Sequence, residues 1–267
     1  MAGIADTQEL QVKQIDVLSF DPLAERLFPS LATGVRWGLE RTEKALNILG
    51  DPHRSYRTIH VGGTNGKGSV ASTLAAALNV AGFRTGCYTS PHLCSFRERI
   101  LVAGKPLTQD RTLGLAEELM NVPERCGLTF FEAATVLGLY AFEREGVEVA
   151  VVEVGLGGRL DATNVIHPEI SAITNVALDH SDYLGDSLTE IAREKLGIVK
   201  PGVPLVTTES DPVLLEVFRE VTSQRGSPLV KANTPALEGI KVYHDRTCFG
   251  LETHSWGLLE IETPLVG

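Results

Sequence analysis

The chain has 267 residues, 43% of them hydrophobic and 22% charged, the composition of a folded globular protein with room for one large domain or two small ones. Its formal net charge of −10 argues against a general nucleic-acid binder or a protein held on anionic membranes, since both need a basic surface; a local anion pocket is not excluded. Cys87, Cys94, Cys126 and Cys248 contain no Cys-x-x-Cys pair, which speaks against a zinc site or a disulfide framework and leaves free thiols in a reducing compartment.

In chain order, residues 1–20 read as a loosely held lead-in. Met1 to Leu18 mixes charges without an apolar run, unlike a signal peptide, and no stretch of the sequence reaches the roughly 18 apolar residues of a membrane helix, so a cytoplasmic protein is expected. A helix is predicted over Leu39–Leu49, stopped by Gly50-Asp51-Pro52. Arg57–Val61 predicts a short buried strand that runs into the glycine-rich turn Gly62–Ser69, and an alanine-rich helix follows over Val70–Ala81. Strands at Thr85–Thr89 and Arg99–Val102 precede helices at Asp110–Met120 and Phe131–Glu145. Val147–Val154, an almost unbroken β-branched run, predicts a strand covered on both faces. Strands at Ile170–Val176, Pro204–Thr207 and Pro228–Lys231 then alternate with helices at Leu188–Leu196 and Pro212–Ser223. Such alternation specifies an α/β fold with a mainly parallel sheet flanked by helices. After Glu238 the pattern changes to short strand-like runs, Ile240–His244, Thr247–Thr253 and Leu258–Glu262, which read as antiparallel hairpins added to the main sheet.

The strand, glycine-rich turn and helix over 57–81 carry the strongest local chemistry. Glycines let successive backbone N–H groups converge on an anion, the helix N-terminus adds the positive end of its dipole, and Lys67 can reach terminal phosphates. The spacing departs from Gly-x4-Gly-Lys-Ser/Thr, because Gly68 follows Lys67 and the hydroxyl residue, Ser69, comes one later. A ligand-free β–α turn is the alternative, but it leaves a lysine between glycines unexplained.

The run Gly63-Thr64-Asn65-Gly66-Lys67-Gly68-Ser69 resembles the phosphate loop of the Mur ligase superfamily. Further segments are similar to its folate branch, the dihydrofolate synthase/folylpolyglutamate synthase type: Thr89-Ser90-Pro91-His92-Leu93, Thr129-Phe130-Phe131-Glu132, Glu153 to Asn164, Thr174 to His180, and Arg193 to Ile198. They come in the family's order and span roughly Gly38 to Lys200, and Gly-Leu-Gly-Gly-Arg-Leu-Asp-Ala-Thr-Asn is the most specific of them. The resemblance implies that Thr64, Asn65, Gly66 and Lys67 bind ATP phosphates, with Gly68 and Ser69 closing the cradle. It further implies two Mg²⁺ ions, one held by Ser90 and Glu153, the second with the help of His180.

Read on its own, Glu153 is either a solvated strand end or a hard oxygen ligand beside a phosphate loop, at the strand edge where open α/β sheets bind ligands. His180 on its own reads as a loop or cap histidine, since imidazole is an unusual Mg²⁺ ligand; His60 and His92 keep structural readings. Lys195 matches a lysine that the family carries as a carbamate, whereas its bare helical context reads as an exposed lysine paired with Glu190 or Glu194. By resemblance, Lys67, His180 and carbamylated Lys195 form the catalytic set.

Gly155 to Asn164 is too glycine-rich for a helix and too polar for a core strand, and reads as a compact functional loop. The resemblance sets Leu160, Asp161 and Ala162 against a pterin, with Asp161 hydrogen-bonding its nitrogen edge and Thr129, Phe130, Phe131 and Glu132 forming another wall. The resemblance has Phe131 stacking on the pterin; on its own Phe131 reads equally as a core aromatic, Trp37 reads more as one, and Val35-Arg36-Trp37 matches the family only weakly.

The implied activity is ATP-dependent addition of L-glutamate to dihydropteroate, to a folylpolyglutamate, or to both, through an acyl phosphate, by a monomer with no nucleic-acid or membrane partner. The expected division is an ATP-binding domain over 1–238 and an antiparallel extension of it over 239–267, leading toward a C-terminal glutamate-ligase domain that is absent. A Mur-type ligase for a cell-wall precursor and a truncated nucleotide-binding domain without ligase activity are the alternatives.

Overall fold

The computed structural model describes residues 22–28, 31, 34, 36–178, 185–232, 237–253 and 256–264; the lead-in expected over 1–20 lies outside them. Eight strands make one sheet: β1 (Arg57–Gly62), β2 (Thr85–Tyr88), β3 (Ile100–Val102), β4 (Lys105–Pro106), β5 (Val149–Glu153), β6 (Ile170–Ile173), β7 (Leu205–Thr207) and β8 (Leu229–Lys231). Their order is β4-β3-β2-β5-β1-β6-β7-β8. The central strands β2, β5, β1, β6 and β7 run parallel, and β3 and β4 add an antiparallel edge. The helices among the described residues are α1 (Pro22–Leu27), α2 (Glu40–Ile48), α3 (Lys67–Val80), α4 (Gln109–Glu118), α5 (Val122–Cys126), α6 (Phe130–Arg144), α7 (Leu188–Leu196) and α8 (Pro212–Gln224).

The β-branched run of β5 is buried at all five positions, as its lack of alternation predicts. Ala150 and Val152 join a core with Leu137, Leu139 and Phe142 of α6, while Val151 joins Val61, Ala71 and Ala75 on the α3 side. A third core packs α7 and α8 with Ile173 and Leu205. Each fully buried aliphatic or aromatic side chain contributes about 1.5–3 kcal/mol to holding these layers together. Glycine sets how closely α6 approaches the sheet: a Cβ on Gly138 would sit 2.7 Å from the Tyr88 ring, and one on Gly86 2.7 Å from the Phe142 ring.

This order creates the crevice. From β1 the chain passes through α3 to β2, beyond β5; from β5 it returns past β1 to β6. Neighbouring strands thus send their connections in opposite directions, the arrangement that opens a ligand crevice at the carboxyl ends of an open parallel sheet. Val61 pairs in register with Glu153 at that edge.

Two expectations need correction. The helix after the glycine-rich turn begins at Lys67, not Val70, because Gly66 takes a left-handed conformation (φ 77°) and turns the backbone straight into the helix. The C-terminal strands β9 (Leu237–Val242), β10 (Thr247–Thr253) and β11 (Gly257–Thr263) do not extend the main sheet. They form a separate antiparallel sheet, β11-β10-β9, in a second compact unit that begins at Val230. Seven-residue pairing of β10 with β11 satisfies their backbone groups locally. The short elements α1, α5 and β4 carried too little periodicity to be foreseen.

Candidate active site

The chain leaves β1 at Gly62 and packs against the segment following β6. A Cβ on Gly63 (φ 134°) would fall 1.9 Å from the Thr174 hydroxyl, so only glycine fits. Thr64 N–H donates to the Asn175 carbonyl (2.9 Å) and Asn65 N–H to Asn175 Oδ1 (2.9 Å). Thr64 Oγ1 accepts from Ala177 N–H at 3.0 Å. These groups therefore shape the loop. The N–H groups of the first turn of α3, Gly66 to Ser69, have no intrahelical partner, because the ladder starts with Val70 N–H to Gly66 O. Lys67 Nζ folds back on Thr64 O at 3.1 Å.

Glu153 ends β5 beneath that turn. It is 5% exposed, so it is not a solvated strand end. Oε2 accepts from Ser90 N–H at 3.0 Å, which ties it to the loop after β2, and a Cβ on Gly68 would lie 3.4 Å from Oε1. Burial pushes its pKa up; the Ser90 N–H and the cations Lys67 and Arg99 oppose this, and Asp161 reinforces it. Arg99, which sequence reasoning passed over, is buried, lies over the Phe96 and Phe130 rings and donates to His92 Nδ1 at 2.7 Å. His92 thus keeps its structural reading.

Lys195, on α7, is buried and donates to the Gly63 carbonyl at 3.1 Å. The exposed, carboxylate-paired reading fails because both expected partners are engaged elsewhere. Glu190 caps α7 through Ser187, and Glu194 pairs with Arg159 at 2.9 Å. Close backbone contact fixes this arrangement: a Cβ on Gly158 would meet the carbonyls of Glu194 and Lys195 at 2.8 and 2.9 Å.

The loop from Gly155 to Asn164 closes on Asp161, which is buried. Oδ2 accepts from Leu156 N–H (2.8 Å), and Oδ1 from Thr163 N–H (3.0 Å) and the Thr163 hydroxyl (2.5 Å). Burial pushes this carboxyl up, while these bonds and one from Gly155 N–H pull it down. Both Asp161 oxygens accept hydrogen bonds from within the loop. Leu160 is half-buried and Ala162 buried. A Cβ on Gly155 would lie 2.4 Å from the tip of the Phe131 ring, so Phe131 stands beside this loop at the crevice.

Thr129, Phe130 and Glu132 make architectural contacts. Thr129 is the N-cap of α6 and Glu132 completes a capping box. Glu132 also forms a partly buried ion pair with Arg41 at 2.7 Å, and Phe130 packs edge-on against Phe28 and Phe96. Trp37 is 38% exposed and not a core aromatic; Val35 lies outside the described residues. His180 also lies outside them, though the segment that leads to it, Thr174 to Ala177, is the one that clasps the phosphate loop.

A parallel sheet that brings a glycine-rich loop, a buried carboxylate and a buried lysine together at its switch point defines an α/β domain of the P-loop class. The Mur ligase middle domain family model matches residues 61–267, and the chain belongs to the Mur ligase family. Folylpolyglutamate synthase of Lacticaseibacillus casei is 37% identical over 249 residues, covering 90% of this chain and 58% of the relative. Dihydrofolate synthase/folylpolyglutamate synthase of Bacillus subtilis is 38% identical over 205 residues, covering 74% and 48%. Among solved structures, an FPGS–AMPPCP–folate complex matches with a TM-score of 0.84 at 34% identity, over 91% of this chain and 62% of that one. Mycobacterium tuberculosis folylpolyglutamate synthase complexed with ADP matches at 0.81 and 32% identity, over 93% and 57%. The chain thus spans between 48% and 58% of the length of the two curated relatives. No helix among the described residues is long and apolar enough to cross a membrane.

Proposed function

We propose that this chain is the nucleotide-binding part of an ATP-dependent ligase that joins L-glutamate to dihydropteroate, to a folylpolyglutamate, or to both. The observation that carries this reading is the placement of Glu153: it is buried, held by Ser90 N–H, and close to the first turn of α3, where Lys67 and N–H groups without an intrahelical partner lie. Relatives of this chain bear the names of such synthases, and one is solved with AMPPCP and folate.

A carboxylate is a poor electrophile, so the reaction needs activation. The γ-phosphoryl of ATP passes to the acceptor carboxylate, giving an acyl phosphate and ADP; the glutamate amine then attacks the acyl carbon, and phosphate leaves with the C–O bond. The N–H groups of Gly66 to Ser69 bind the phosphates, and Lys67 moves from Thr64 O to the terminal phosphate. The all-oxygen donor set of Ser90 and Glu153 fits a hard cation. Bound Mg²⁺ would offset charge on the transferring phosphoryl group; Ser90 and Glu153 would hold one ion, with His180 serving a second. Lys195, buried against the phosphate loop, is the candidate for carbamylation, in which a neutral amine adds CO₂ with loss of one proton. The carbamate nitrogen keeps an N–H for Gly63 O. Phe131, Leu160 and Ala162 flank the acceptor, with Asp161 shaping the wall between them.

The test is phosphate release from Mg-ATP with dihydropteroate and L-glutamate, measured on this chain and on a form continued through its downstream coding sequence. Release that needs all three substrates supports the ligase, and activity restricted to the longer form assigns the glutamate step to residues beyond 267. Silence in both folded forms would overturn the folate reading in favour of a cell-wall acceptor or a binding role.

A further inference from the structure

His60 lies on β1, the strand that delivers the phosphate loop, and is fully buried. Its Nε2 is 2.9 Å from Thr163 Oγ1, and that hydroxyl donates to Asp161 Oδ1. A hydroxyl has one proton. With it given to the carboxylate, the oxygen receives its second bond from the imidazole, so His60 is the Nε2–H tautomer. The remaining ring nitrogen, Nδ1, has no partner among the described residues, which puts the orphaned atom on the acceptor side of the ring. Burial, helped by Lys200, depresses the ring to about 3 and keeps it a neutral donor.

The line of bonds continues past Asp161. Oδ2 holds Leu156 N–H, and Gly155 N–H also donates to the carboxylate. These two residues form the turn just beyond β5. Gly155 has no slack, since a Cβ there would lie 2.4 Å from the Phe131 ring and 3.0 Å from Asp161 Oδ2. Any loosening of Asp161 therefore moves the turn relative to Phe131.

We infer that His60 and Thr163 are positioning residues for the acceptor: through Asp161 they set the spacing between the Gly155–Leu156 turn and the Phe131 ring, the slot for a flat heteroaromatic acceptor. The acceptor role rests on the ligase reading; the hydrogen-bond chain does not. β1 then fixes both halves of the crevice, the phosphate loop through its end and the acceptor loop through its interior.

The test uses His60→Leu and Thr163→Val, which remove the donors at similar volume, and His60→Gln and Thr163→Ser, which retain them, in whichever chain length is active. The first pair is expected to raise the KM for the pteroate acceptor about ten-fold or more, with kcat and the KM for ATP within about three-fold, and the second pair to restore it. Amide exchange at Leu156 and Thr163 is expected to speed up about ten-fold in the first pair while that of Thr64 stays unchanged. An active parent whose donor-free variants keep the acceptor KM, or lose only kcat, overturns the inference. So does unchanged exchange at Leu156, whichever substrates the parent accepts. A parent that neither binds nor turns over a pteroate acceptor overturns the ligase reading and with it the acceptor role, and is told apart by the silence of the unmodified protein.

Discussion

Lys195 Nζ donates to the Gly63 carbonyl across 132 residues of sequence, pinning the C-terminal end of α7 to the first residue of the phosphate loop. In Lys195→Met the carbonyl loses that donor in a buried setting, at a cost of about 1–3 kcal/mol in unfolding free energy. Ligase turnover is expected to fall at least about a hundred-fold, as for removal of a group stabilising the transition state. Incubation with ¹³C-bicarbonate is expected to give a carbamate resonance that Lys195→Arg abolishes; an active protein without that resonance would remove carbamylation from the mechanism.

Gly158 lets the acceptor loop rest on backbone carbonyls of α7, and Gly158→Ala places a methyl carbon 2.8 Å from Glu194 O. Backbone cannot rotate away as a side chain can. We expect a loss of about 1–3 kcal/mol in denaturant unfolding, with turnover falling further than stability because Lys195 moves with the helix.

Gly68→Ala should behave differently. The new methyl would sit 3.4 Å from Glu153 Oε1, an ordinary contact, and alanine is favoured over glycine in a helix by up to about 1 kcal/mol. The variant is expected to melt at or above the parent temperature yet bind Mg-AMPPCP at least about ten-fold more weakly, because the methyl occupies the space between the α3 first turn and the carboxylate. Unchanged affinity in calorimetry would place the nucleotide elsewhere.

Glu132 is a capping partner of Thr129 and pairs with Arg41. Glu132→Ala is expected to cost about 2 kcal/mol or more in unfolding free energy, since it strands a partly buried guanidinium and the Thr129 N–H. In Arg41→Met/Glu132→Met the penalty should shrink, and a double-mutant cycle measures the coupling.

His60 has a folded-state pKa of about 3, against an ordinary 6.5. As pH falls through that window the unfolded chain gains a proton that the native state refuses, so stability is full above about 6.5 and is lost at up to about 1.4 kcal/mol per pH unit toward 3. His53 is depressed by burial in the same direction. Because His53 remains in His60→Gln, comparing the two proteins between pH 6 and 4 isolates His60: the variant should show the shallower acid-side decline.

The element pattern was legible because it is local. An unbroken apolar run such as Val149–Val152 is satisfied between two covering layers, and a glycine-rich turn between strand and helix has few uses other than an anion. From these, a parallel sheet and a phosphate loop follow without coordinates. Lys195 was found through motif resemblance, against a bare context that pointed to the surface, and the bare context of Glu153 left a solvated strand end and a metal ligand both open. Only the fold showed them buried, because burial depends on which helix and loop arrive from elsewhere: α7 for Lys195, the turn after β2 for Glu153.

What the sequence by itself determined was the α/β class, the position of the phosphate loop and the edge of the sheet at which a site would form, all consequences of residue type repeated at short range. Tertiary structure alone decided the roles within that edge. It gave Glu132 to Arg41, Asp161 to its own loop and His60 to Thr163, and it separated β9–β11 into their own sheet. A buried polar group must find a partner or pay its desolvation in full, and that partner is set by three-dimensional proximity, to which spacing along the chain is blind.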